Sequence, residues 1–163
     1  MSRRRRNAFL LLVALQAFVP LGMIAVDEVA LARGTEVRLR TVPVDPIDLF
    51  RGRYVTLRYE ISSLPVEGGA RRGQAVWVPL SERGGVWTGT VARTSRPEGG
   101  TFIRGRVRAV TGDRAEIEYG IETYYADEAE AQRLEREAGR RLHVDVVLDT
   151  DGGGRIAGIE LVR

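Results

Sequence analysis

Histidine occurs once in this chain, at position 143, two residues before Asp145. In an extended strand that spacing puts both side chains on one face, where a carboxylate can orient an imidazole as a general base. Asp45 and Asp48 form a second candidate pair, with Arg51 close by, and Glu122 is a further acid. A hydrolase using Asp45, Asp48 or Glu122 with His143 is therefore one reading of the chain. Against it, no serine sits in a nucleophile elbow, and a lone strand histidine beside an acid is more often a surface pair. The chain has neither cysteine nor lysine, which excludes disulfides, zinc thiolates, cysteine nucleophiles and Ser–Lys dyads. Asp149-Thr150-Asp151-Gly152-Gly153-Gly154 resembles a calcium loop but lacks the later bidentate glutamate, and no lysine follows its glycines to hold phosphate. It reads as a hairpin turn. No metal and no cofactor is expected.

The backbone that holds these groups carries most signal from Pro43 to Ile61, PVDPIDLFRGRYVTLRYEI. Asp45 as N-cap, Pro46 at the first helical position and Asp48 at N3 satisfy the orphan amides of a short helical turn. Capping thus explains both acids. Gly52 is placed to end the turn with positive φ. From Arg53 the period becomes two. Val55, Leu57, Tyr59 and Ile61 share one face, and Tyr54, Thr56, Arg58 and Glu60 the other, the pattern of a half-buried strand.

Gly52-Arg53-Tyr54-Val55-Thr56-Leu57-Arg58-Tyr59 resembles the motif of the GDYXXLXY family of bacterial membrane-anchored proteins, and the lead-in PVDPIDLFR resembles that family's own. A weaker likeness continues through Gly120-Ile121-Glu122 to the last hairpin. Arg53 departs, standing where the family has an acid, so no metal or general-acid role can rest on that position. The family has no established activity, and the resemblance implies placement and fold. Within the motif, Leu57 and Tyr59 fall on the core face and Gly52 is a backbone device. That leaves Tyr54, Arg58 and the turn residues Asp45, Asp48 and Arg51 for contact with another molecule, with Glu122 as a neighbour.

Arg3-Arg4-Arg5-Arg6 is followed by an apolar run from Ala8 to Val26. As a helix those residues would span ~28 Å, close to the hydrocarbon thickness of a bilayer. The arginines then place the N-terminus in the cytoplasm and the remainder outside. The expected organisation is a basic tail at 1–7, a transmembrane anchor at 8–26 and an extracytoplasmic β domain at 27–163, held in the bacterial inner membrane. The competing reading is a signal peptide cleaved after Ala32. The run is longer than a signal core, and Asp27-Glu28 separate it from the Ala30-Leu31-Ala32 site, which favours the anchor. With those four arginines set aside, 21 arginines face 22 acids, so the basic charge of the whole chain (+3) is a topology signal and gives no support to nucleic-acid binding.

After the anchor, eight strands are expected: 36–41, the motif strand, 75–80 and 86–92 as a hairpin, 102–110 and 114–121 around Thr111-Gly112-Asp113, 142–148, and 156–162. One surface helix at 128–138 begins with Asp127 and a capping box at Glu130. The fold class is mainly β (α+β): an antiparallel sandwich or small barrel of about eight strands with one short helix, plus the N-terminal transmembrane helix. The outward Tyr54, Thr56 and Arg58 are expected to approach Glu118–Tyr125 and form a polar, aromatic patch of the kind found at interfaces. The same arginine equally fits a plain cross-strand pair with a glutamate. The functional reading is a tethered binding module whose partner is another membrane or envelope protein; a small-ligand sensor is a further alternative.

Overall fold

The computed structural model describes residues 34–42, 54–125 and 142–161, together with positions 7, 12, 16, 18 and 22. The chain divides into two units, Met1–Gly34 and Thr35–Arg163. In the first, the five described positions are helical, and Leu12 and Phe18 are 60% and 73% exposed. Among the described residues no helix is long and apolar enough to cross a membrane. The expected tail and anchor lie almost wholly outside those residues, as do the Asp45–Gly52 turn, Arg53 and the helix expected at 128–138.

The second unit is mainly β. Its strands are β1 (Thr35–Arg40), β2 (Tyr54–Thr56), β3 (Ser63–Glu67), β4 (Ala75–Pro79), β5 (Ser81–Arg83), β6 (Val86–Thr88), β7 (Ala92–Arg93), β8 (Phe102–Thr111), β9 (Arg114–Glu118), β10 (Thr123–Tyr125), β11 (Leu142–Leu148) and β12 (Gly154–Leu161). They form three groups: an open sheet β12-β11-β1-β6-β5, a closed barrel β3-β7-β4-β8-β9, and a two-stranded ribbon β10-β2. Pairing is antiparallel except for β1 with β6 and β3 with β7.

Alternation builds the shared core. Val37 and Leu39 of β1 and Leu142, Val144, Val146 and Leu148 of β11 are buried, while the residues between them are not. In the barrel Leu64, Val76, Val78, Ile103, Val107, Ala115 and Ile117 turn inward. Each of these valine, leucine and isoleucine side chains contributes on the order of 1.5–3 kcal/mol by leaving water.

The motif segment follows its expected faces but not its expected strand. Val55, Leu57, Tyr59 and Ile61 are buried, and Arg58 and Glu60 are exposed. Yet the ladder of β2 ends at Thr56. Tyr59 makes an isolated bridge to Thr41, Glu60–Ser62 form a 3-10 turn, and β3 then enters the barrel. The break lets one chain segment serve the ribbon, β1 and the barrel in turn. Pro65 inside β3 hid that strand in the sequence, because proline argues against a ladder position.

The hairpin expected between 75–80 and 86–92 is also corrected. β6 pairs instead with β5 around Gly84 and Gly85, whose φ values of 61° and 78° suit a tight two-residue turn. β4 pairs with β8, and Trp77 lies opposite both Arg104 and Arg93. Between β6 and β7 the chain leaves the open sheet for the barrel at Gly89, where a Cβ would stand 2.3 Å from Val78 Cγ1. The hairpins expected around Gly112 and Gly152 are present.

Candidate functional site

The backbone brings the motif segment to Glu118–Tyr125 as a ladder: Tyr54 lies opposite Tyr125, Val55 opposite Tyr124 and Thr56 opposite Thr123. The Leu57 N–H extends it by donating to the Glu122 carbonyl at 2.7 Å. Just beyond, two Tyr-x-Ile segments lock together. Tyr59 is 1% exposed and its hydroxyl donates to the Ile121 carbonyl at 2.6 Å; the Tyr119 hydroxyl donates to the Ile61 carbonyl, also at 2.6 Å. Each tyrosine thus satisfies the carbonyl two residues beyond the other. Burial, reinforced by the nearby charge of Glu122, pushes both phenols well above the ordinary tyrosine range. Both phenols therefore keep their protons at neutral pH and serve as hydrogen-bonded struts.

Two small residues make the clasp possible. At Gly105 a Cβ would meet Ile117 Cγ2 at 2.3 Å and Tyr119 Cδ1 at 2.9 Å. At Gly120, φ is +82°, a conformation glycine adopts without penalty. Glu122 closes the turn around it, its two oxygens accepting the Tyr119 and Gly120 N–H groups at 2.6 and 2.8 Å. The same carboxylate lies on the wall of a groove of about 460 Å³ shared with Arg104, Arg106, Glu118 and Tyr119.

Arg58, also expected at the site, points elsewhere. Its Nη2 stands 3.4 Å from Glu116 Oε1 of β9, in a solvent-exposed pair. The glutamate partner weighed for this arginine in the sequence is therefore present. Leu57 and Tyr59 belong to the core. Asp45, Asp48, Arg51 and Gly52 fall outside the described residues, and of Tyr54 only the backbone is described.

His143 occupies a third place, on the open sheet between Arg40 of β1 and Glu160 of β12. Both oxygens of Asp145 accept from Arg38, at 2.7 and 3.0 Å, and Arg38 also reaches Glu160 at 3.1 Å. That hydrogen bond and charge raise the Arg38 pKa. Asp145 is thereby committed to the guanidinium. The His143 Nε2 is shielded from solvent and has no partner among the described residues. Its burial, with Arg40 and Arg38 adding positive charge, lowers the imidazole pKa despite the opposing Asp145 and Glu160.

At the last hairpin, Asp149 Oδ1 accepts from the Asp151 and Gly153 N–H groups, both at 2.8 Å, so the loop is a self-capped turn. Among the described residues no group of three or more His, Cys, Asp or Glu side chains could hold a metal. Arg96 docks on this turn, donating to Asp151 and to the Thr150 carbonyl, with its guanidinium 5.5 Å from the Phe102 ring centroid.

The partnership of Tyr59 with Tyr119 is not among the expectations from sequence, although the repeated Tyr-x-Ile spacing was its visible signal. Thr41, buried and exchanging hydrogen bonds with both backbone groups of Leu142, carried no such signal.

Comparison with curated proteins found no match, and neither did comparison with solved structures. The model of the GDYXXLXY protein family matches residues 16–159, nearly the whole chain, so the residues of the clasp and the ribbon all lie inside the match, and the chain belongs to that family.

Proposed function

We propose that this chain is a single-pass protein of the bacterial inner membrane, with its N-terminus in the cytoplasm and its β domain outside, acting as a binding module for another membrane or envelope protein. The observation that carries the reading is the ribbon. β2 and β10 pair only with each other among the described residues, and Tyr125 on that ribbon is 76% exposed. Exposed aromatic surface is a common component of a protein interface. The proposed contact face comprises Tyr54 and Tyr125 with Glu122, which fixes the turn leading into β10, and takes in Asp45, Asp48 and Arg51, which lie outside the described residues; Arg58 joins it by exchanging its exposed Glu116 pair for a partner's carboxylate.

Dispersal of the candidate groups supports binding over chemistry: Glu122, Arg58 and His143 have separate surroundings instead of one pocket. For the anchor, support comes from the apolar run at 8–26 and the exposed Leu12 and Phe18 on helical backbone, surface that lipid would cover. Tethering raises the effective concentration of the domain toward partners in the same bilayer.

A benzophenone amino acid at Thr123, introduced into the full chain in native membranes, tests the reading. The expected result is a discrete protein adduct from position 123 and none from Arg83 on β5. Adducts with lipid alone, or equal yields from both positions, would remove it.

A further inference from the structure

The barrel carries a second feature, distinct from the ribbon. β8 presents Arg104, Arg106 and Arg108 outward, but its pairing with β9 slips between Val107 and Ala109. Bulges of this kind re-aim the side chains that follow. Here Val107 is buried, Ala109 is only partly covered and Val110 is 45% exposed. A cleft of about 620 Å³ lies at this point, lined by Ala70, Ala109 and Val110 with Arg71, Arg72, Arg108 and Glu116.

The loop that supplies Arg71 and Arg72 is built onto the strand. Gly73 N–H donates to the Val107 carbonyl at 2.7 Å, and Val107 N–H donates to the Gln74 carbonyl at 2.9 Å. The Gln74 side chain accepts the Arg71 N–H, and Arg106 donates to the Gly73 carbonyl. Charge in the cleft is lopsided: three guanidinium groups face one carboxylate, and Glu116 is already within reach of Arg58. Arg108 has a distant partner in Glu118, at 3.6 Å. Arg71 and Arg72 have no ion pair among the described residues.

We propose that this cleft binds an anionic amphiphile, a phosphate or carboxylate held by Arg71, Arg72 and Arg108 with its adjoining apolar portion against Ala70, Ala109 and Val110. Planar guanidinium groups match such oxyanions through paired donors, and the bulge supplies the apolar floor. Two sources share this chemistry, a lipid headgroup and a free amphiphile.

The test uses the full chain held in phosphatidylcholine nanodiscs. Hexyl phosphate is titrated in, with inorganic phosphate as the comparison and phosphorus NMR line width as the readout. Hexyl phosphate should bind more tightly than inorganic phosphate. Arg71→Gln with Arg72→Gln should weaken hexyl phosphate at least tenfold, since hydrogen bonds to charged groups are lost. Val110→Ser should narrow its advantage over inorganic phosphate. Displacement of hexyl phosphate by added phosphatidylglycerol vesicles assigns the site to a lipid headgroup; retention assigns it to a free amphiphile. The proposal is overturned if hexyl phosphate fails to bind, binds no better than inorganic phosphate, or binds the double arginine variant as it binds the parent.

Discussion

The junction of barrel and ribbon and the outward face of the open sheet treat their polar groups in opposite ways. Where barrel and ribbon meet, two tyrosines are buried, and each finds a backbone carbonyl at 2.6 Å. On the open sheet, Arg38, Asp145 and Glu160 form a partly exposed network on the outward face. A buried hydroxyl that loses its role leaves a carbonyl unpaired with no water to replace it, whereas a surface ion pair is readily exchanged for solvent. The difference teaches that the final tyrosine of the family motif is a structural member. The outward arginine one residue before it makes only an exposed pair with Glu116, of the kind that solvent or another molecule readily replaces.

Four outcomes would break or sharpen that contrast. The largest effect is expected from Tyr59→Ala, which empties a core position and orphans the Ile121 carbonyl; chemical denaturation should register a loss of about 3–5 kcal/mol. Gly105→Ala should follow, at about 1–3 kcal/mol, because the added methyl collides with Ile117 and the Tyr119 ring. Tyr59→Phe and Tyr119→Phe should each cost about 1–3 kcal/mol by leaving one carbonyl unsatisfied. On the open sheet, Arg38→Gln should cost only about 0.5–1 kcal/mol and lose that effect in high salt. If Arg38→Gln proved as damaging as Tyr59→Phe, the contrast between the two regions would be gone.

The smallest effect is one of pH. The His143 pKa is lowered in the fold, chiefly by burial, so the unfolded chain takes up its proton first as pH falls. Stability should be fully present above the ordinary histidine pKa near 6.5 and decline as pH drops through the lowered folded value. A His143→Gln variant should lose that part of the acid dependence between pH 7.5 and 5, followed by thermal melting.

The faces of the motif segment were legible because alternation needs only the local sequence: Leu57 and Tyr59 in, Arg58 out. For Arg58 that logic left two readings open, a patch with Glu118–Tyr125 and a plain pair with a glutamate, and the pair with Glu116 is what forms. What period-two patterning cannot report is where a ladder stops. Thr56 and Tyr59 look alike as strand positions, and only the need to pass from ribbon to barrel separates them. Pairing partners were equally hidden for β4, since Val76 and Val78 suit an inward face whether the neighbour is β6 or β8. Gly89 held the clue to that crossing, but a glycine in a strand signals a close approach without saying to what. Of the candidate site, the neighbourhood of Tyr54 with Tyr124 and Tyr125 was foreseeable. The arginine-rimmed cleft was not, because it depends on the bulge at Arg108 and on a loop stapled from 33 residues away.

One measurement confronts the division between structural and recognition residues directly: the photo-adduct yield from position 123 set beside the melting temperature, in Arg58→Gln and Tyr59→Phe forms of the full chain. Arg58→Gln should keep the melting temperature and lose most of the adduct, while Tyr59→Phe should melt earlier yet give the parental adduct below its transition. The reverse pattern, with Arg58 needed for stability and Tyr59 for capture, would contradict the account.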